Sequence, residues 1–202
     1  YRRGRKTTHI VYGEDMGILA GDALLNYAFE TAAKAFALTD RADLVGKAIS
    51  ILANKAGIYG MIGGQSVDVE YTDRPVTKSQ LEFIYELKTA ALLEAAMMIG
   101  AVLAGADDNQ VKAAEQIAHH VGMAFQIRDD ILDVISTTEE LGKPVKSDEK
   151  NNKTTYVTIY GLDGASKLVE EYSHTAMTLL DQVCPNASFL KRLFEYLIVR
   201  KK

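Results

Sequence analysis

Apolar residues recurring every three or four positions, the lack of any convincing alternating strand pattern, and a total of only three prolines together predict an all-α helical bundle. Pro75, Pro144 and Pro185 each fall between apolar-periodic stretches, as expected of a residue that lacks an N–H and clashes with the preceding turn. Glycine-rich turns are sparse between the long periodic segments. No internal repeat or linker divides the 202 residues, so residues 1–202 are expected to form one all-helical domain.

The first helix is expected from Asp15 to about Ala37, with Met16, Leu19, Ala20, Leu24, Tyr27 and Ala28 at helical spacing. A second segment runs from Asp40 to about Val69, interrupted by Gly60, Gly63 and Gly64. Thr77 with Gln80 matches a capping box and should open a third helix reaching about Gly105. Within it, Ala90 to Ala104 is strongly apolar but broken by Glu94 and Gly100, which reads as a buried core helix. Asp107 or Asp108 caps a fourth helix that continues to about Ile135. Ser136 to Lys153 is polar and reads as a loop. Thr154 to Tyr160 is the one β-rich run, and it is short. Two more helices are expected, Ala165 to Val183 and Ala187 to Val199.

Hydrophobic residues make up 48% of the chain and charged residues 25%, enough apolar material for a real core. A net charge of −4 gives no reason to expect nucleic acid as a partner. No apolar run reaches the ~18 residues needed to span a bilayer. The single cysteine, Cys184, cannot form an intramolecular disulfide or a zinc cluster, so a reducing cytoplasm is the default compartment. The chain opens on Tyr1 and a basic run through Lys6, and so reads as the continuation of a longer polypeptide.

The chemistry concentrates in the fourth helix. Asp129 and Asp133 are four residues apart and share a face, with Asp130 adjoining. Three carboxylates within two turns repel, and apolar residues flank them on both sides, so they call for a cation. Hard oxygen donors suit Mg²⁺, which keeps waters and binds through one or two carboxylates plus substrate phosphates. Read alone, the cluster is equally compatible with a solvated acidic patch in which Arg128 is the partner. His119 and His120 are adjacent, point in different directions and make a poor metal pair. His9 and His174 have no partner at ligand spacing, and nothing activates Cys184 or a serine as a nucleophile.

The stretch Gln126-Ile127-Arg128-Asp129-Asp130-Ile131-Leu132-Asp133 resembles the second aspartate-rich motif of the trans-prenyl (polyprenyl) diphosphate synthase family. Further segments resemble that family in the same order. Arg2-Arg3-Gly4 is similar to the tail of its first aspartate-rich motif, and Gly21-Asp22-Ala23-Leu24-Leu25 to its GDxLL helix. Gly64-Gln65-Ser66-Val67-Asp68 resembles the GQxxD segment, and Lys88-Thr89 the KT pair. Gly142-Lys143-Pro144 resembles the GKP loop, and Asn152-Lys153-Thr154-Thr155 the NKxT stretch. The pattern is most like short-chain bacterial members that make farnesyl diphosphate.

The resemblance implies an isoprenoid-synthase-type helical bundle around a central cavity, and it implies roles for named residues. Lys88, Thr89, Gln126, Asp129 and Lys143 would be catalytic. Arg2, Arg3, Gln65, Asp68, Lys88, Thr89, Phe125, Gln126, Lys143 and Lys153 would bind substrate, and Asp129, Asp130 and Asp133 would bind metal. Taken singly, each lysine is an ordinary solvated residue; a diphosphate, multiply anionic, is what requires cations from several segments.

The implied reaction joins isopentenyl diphosphate head to tail to an allylic diphosphate (dimethylallyl or geranyl). It proceeds by ionisation, condensation and proton loss, assisted by several Mg²⁺ ions. Farnesyl diphosphate is the expected product. Geranylgeranyl diphosphate, or a non-catalytic regulatory subunit of a heteromeric synthase, are the alternatives. A homodimer is expected of the family. Helices such as Ala90 to Ala104 are expected to line an apolar tunnel for the growing tail.

The first aspartate-rich motif, expected just before Arg2, does not stand within these residues. The 202 residues are thus expected to be the C-terminal two-thirds of the synthase domain, without its N-terminal helices and inactive alone. Lys146 stands where the family pattern has glycine, and Val199 where a polar residue is usual. A terpene cyclase would carry an Asn/Asp–Ser/Thr–Glu metal motif in place of the second aspartate cluster.

Overall fold

A computed structural model describes residues 1, 4–136 and 153–200. In order, its helices are α1 (Thr8–Tyr12), α2 (Glu14–Ala33), α3 (Ala42–Ala56), α4 (Met61–Glu70), α5 (Lys78–Tyr85), α6 (Ala91–Leu103), α7 (Asp108–Ile135), α8 (Tyr156–Val183) and α9 (Ser188–Val199). A 3-10 turn, Lys34–Ala37, follows α2, and a π-helical turn, Glu86–Ala90, joins α5 to α6. No strand occurs among the described residues, and no helix there is long and apolar enough to cross a membrane.

Local chemistry starts the helices where the sequence indicates. The Thr77 hydroxyl accepts from the Gln80 N–H, and the Gln80 side chain accepts from the Thr77 N–H. Asp107 and Gln110 do the same for α7. Such boxes satisfy two otherwise orphaned N–H groups at once.

Three boundaries differ from expectation. The Asp40–Val69 segment is two helices, parted between Ala56 and Met61. The helix opened by Thr77 is not continuous, because the π turn interrupts it. The β-rich run is helical: α8 begins at Tyr156, since Thr155 and Thr158 form a third capping box and override the strand propensity of the run. Gly161, at φ 70°, kinks α8 one turn later, a conformation that glycine adopts without steric cost.

The core is built on α7. Its buried positions Ile117, Val121, Ala124, Ile127 and Ile131 recur at three- and four-residue spacing. They meet Ala165, Val169, Ala176 and Leu180 of α8, Leu81 and Ile84 of α5, and Phe194 of α9. α6 packs between α7 and α3, burying Ala91, Ala95 and Val102, as expected of a core helix. Its opposite side leaves Leu92 and Leu103 exposed. In contrast, α2 buries none of its residues.

Candidate functional site

Two cationic side chains converge on one carboxylate. Asp68, near the end of α4, accepts from Lys88 Nζ at 2.5 Å, and Lys153 Nζ lies 3.0 Å from its other oxygen. Burial works against ionising Asp68, but the two lysines outweigh it and hold the carboxyl below its ordinary range. A cleft of about 360 Å³ opens beside it, lined by Asp68, Arg74, Leu81, Ile84, Lys153 and Thr154.

Next to Lys88 on the π turn, the Thr89 hydroxyl donates to Gln126 Oε1 of α7 at 2.9 Å. The π turn thus carries two adjacent functional side chains aimed at two helices: Lys88 at α4 and Thr89 at α7. Gln65, one turn before Asp68, lines a separate shallow groove with Met61, Ile62, Ser66 and Val69, and no described hydrogen bond joins it to the cluster.

The three carboxylates of α7 divide between surface and core. Asp129 is paired with the Arg200 guanidinium, which lies 3.7 Å from the centroid of the Phe125 ring. Arg200 also donates to the Phe125 carbonyl at 3.4 Å, and Arg128 donates to the Arg200 carbonyl at 3.2 Å. Asp130, one position on, turns into the core. It is 4% exposed and accepts from the Tyr85 hydroxyl at 2.7 Å and the Tyr156 N–H at 3.1 Å. Asp133 is buried as well.

Among the described residues, no three His, Cys, Asp or Glu side chains gather as a metal site. On the helix Asp133 neighbours both of the others, three residues from Asp130 and four from Asp129. Asp129 is the partly exposed member and Asp130 and Asp133 are buried; their hard oxygen donors fit Mg²⁺ completed by waters and phosphate oxygens. The cation that meets Asp129 here is not Arg128, its neighbour in sequence, but Arg200.

Arg2, Arg3 and Lys143 lie outside the described residues, as do Gly142, Pro144 and Lys146. Tyr85, Tyr156 and Arg200 contact predicted site residues and were not among those expected. Nothing in the sequence marked the two tyrosines.

A second polar cluster lies away from this site. Lys55 of α3 donates to Glu94 of α6 at 2.5 Å and to Glu115 of α7 at 2.6 Å, and His119 Nδ1 is 3.1 Å from Glu94. The hydrogen bond to Glu94 outweighs burial and holds the His119 pKa above its usual value. Burial disfavours the charged form of Glu94, but His119 and Lys55 overcome this and keep its pKa low. His120, packed on the Tyr172 ring, has its pKa pushed down by burial and by His119.

The all-helical architecture is that of the isoprenoid-synthase bundles. The family model described as polyprenyl synthetase matches residues 1–186, and the chain belongs to that family. It is 46% identical over 171 residues to a geranylgeranyl diphosphate synthase of Cyanophora paradoxa, covering 84% of this chain and 57% of that protein. It is 39% identical over 199 residues to a farnesyl diphosphate synthase of Geobacillus stearothermophilus, covering 98% of this chain and 67% of that one. The chain thus spans only somewhat more than half to two-thirds of the length of these relatives.

Among solved structures, a geranyltransferase from Helicobacter pylori complexed with magnesium and isoprenyl diphosphate matches with TM-score 0.81 and 33% identity, over 98% of this chain and 64% of that one. A geranylgeranyl pyrophosphate synthetase from Pyrococcus horikoshii matches with TM-score 0.85 and 27% identity, over 99% and 72%.

Proposed function

We propose that this chain holds the allylic diphosphate of a prenyltransferase that adds isopentenyl diphosphate head to tail, with farnesyl diphosphate as product. The chain would supply the C-terminal part of the synthase domain. The observation that carries the proposal is the convergence of Lys88 and Lys153, from separate segments, on Asp68 beside the Thr89–Gln126 bridge.

Asp68 keeps two ammonium groups together that would otherwise repel, so a cationic patch stands ready before the anion arrives. As the allylic C–O bond breaks, negative charge grows on the departing diphosphate, and Lys88 and Lys153 neutralise it at short range. The double bond of isopentenyl diphosphate attacks the resulting allylic cation and forms the new C–C bond. The proton lost in restoring the double bond goes to the departed diphosphate. Thr89 fixes the orientation of the Gln126 amide beside this path. Asp129, Asp130 and Asp133 would hold magnesium, which would supply Lewis-acid neutralisation of the diphosphate. The exposed side of α6, with Leu92 and Leu103, would give the growing tail an apolar surface.

The farnesyl assignment rests on the short-chain pattern of the sequence, and the relatives carry both farnesyl and geranylgeranyl names. A homodimer and a cytoplasmic location belong to the same proposal, the first supported by the exposed apolar side chains of α1 and α2.

The test is incubation of the full-length parent protein, of which these residues are the C-terminal part, with isopentenyl diphosphate and labelled dimethylallyl or geranyl diphosphate, with and without Mg²⁺, followed by product chromatography. A magnesium-dependent fifteen-carbon product, reduced about 10²-fold or more in Lys88→Ala, is expected. A twenty-carbon product would replace the farnesyl assignment. Absence of condensation by folded protein would overturn the activity.

A further inference from the structure

The π turn that carries Lys88 and Thr89 is held between two glycines. A π turn is rare, occurs mostly as a single turn within α-helices and is frequent at functional sites. On one side, Gly64 of α4 is buried so close that a Cβ there would stand 2.3 Å from the Lys88 backbone N and 2.8 Å from Leu87 Cβ. On the other side, a Cβ on buried Gly122 of α7 would stand 2.7 Å from Ala90 Cα and 2.6 Å from Ala90 Cβ. Backbone and Cβ atoms cannot swing aside like the tip of a flexible side chain, so only glycine allows either approach.

The register is the same on both helices. Gly64 lies four residues before Asp68, and Gly122 lies four residues before Gln126. Residues four apart share a helix face. The α4 face that touches the Lys88 backbone therefore presents the carboxylate that holds Lys88 Nζ. The α7 face that touches Ala90 presents the amide that accepts from Thr89.

We infer that Gly64 and Gly122 are positioning residues: their missing side chains let α4 and α7 close on the π turn and aim Lys88 and Thr89 at the diphosphate. The inference rests on the reading of Lys88 and Thr89 proposed above.

In the full-length parent protein, Gly122→Ala and Gly64→Ala are compared with Gly100→Ala, which sits on α6 where a Cβ meets nothing within 4 Å. Three quantities are read: thermal midpoint, inorganic diphosphate affinity by calorimetry in Mg²⁺, and kcat with KM for condensation. Expected for Gly122→Ala is a folded protein with kcat down about 10²-fold, the cost of a displacement near 1 Å. Thr89→Val should lower kcat in the native protein but add nothing in the Gly122→Ala background.

If Gly122→Ala does not fold, the double variant Gly122→Ala/Ala90→Gly, which removes one of the clashing carbons, is measured instead. Variants of Gly64 and Gly122 that match Gly100→Ala, or a Thr89→Val loss that persists undiminished beside Gly122→Ala, would overturn the inference. Failure of the underlying reading looks different, since the native protein would neither condense nor bind diphosphate and Lys88→Ala would change nothing.

Discussion

Helices α2 and α7 both carry apolar residues at helical spacing, and they meet opposite surroundings. In α2, Met16, Leu19, Leu24 and Tyr27 are all exposed, Leu24 at 72%. In α7, Ile117, Val121, Ala124, Ile127 and Ile131 are buried against α5, α8 and α9, with Ile127 at 0%. Periodicity identifies an apolar face, but a face stabilises a fold only where a second element removes it from water. The candidate site draws on α7 and on the turn it grips, where packing can hold side chains still.

The most direct way to break the comparison is a pair of truncations. Ile127→Ala should cost about 2–5 kcal/mol by urea denaturation, whereas Leu24→Ala should stay within about 0.5 kcal/mol. Equal losses would mean that α2 is buried in solution and that the contrast belongs to the isolated chain. A smaller effect sharpens the account of α7 itself. Tyr85→Phe removes one hydrogen bond to the buried Asp130 and should destabilise by about 1.5–3 kcal/mol. An unchanged urea midpoint would mean that Asp130 is held by other donors.

The smallest expected effect concerns the Lys55–Glu94–Glu115–His119 cluster that ties α7 to α3 and α6. The folded-state pKa of His119 is raised, so its stabilisation is complete below the ordinary histidine value near 6.5 and fades as pH rises through the folded value. The thermal midpoint of the native protein should therefore exceed that of His119→Gln more at pH 5.5 than at pH 8.5. His120 is depressed first by burial, which is common to both proteins, and second by His119; the second part is lost in the variant and narrows the difference. A gap that is flat or widens with pH would refute the assignment.

Much of the site was legible before the fold, for uneven reasons. Asp68, Lys88, Thr89, Gln126 and Lys153 were named through family resemblance, because separated single residues have no periodicity to read. The Asp129/Asp133 pair was legible from spacing alone. Spacing did not reveal that Asp129 stays partly exposed while Asp130 and Asp133 are buried.

What the sequence determined by itself is local: helices opened by Thr77–Gln80 and Asp107–Gln110, and the apolar stripe of α7. The capping boxes are satisfied within a few residues and need no distant partner, whereas the stripe is a local pattern whose burial other helices supply. The tertiary structure alone decided the π turn, the burial of Asp130 under Tyr85 and Tyr156, and the placement of Arg200 on Asp129. Each of these joins residues from different helices. The outcome depends on how closely those helices approach, and at the π turn that distance is set by the side chains that Gly64 and Gly122 lack.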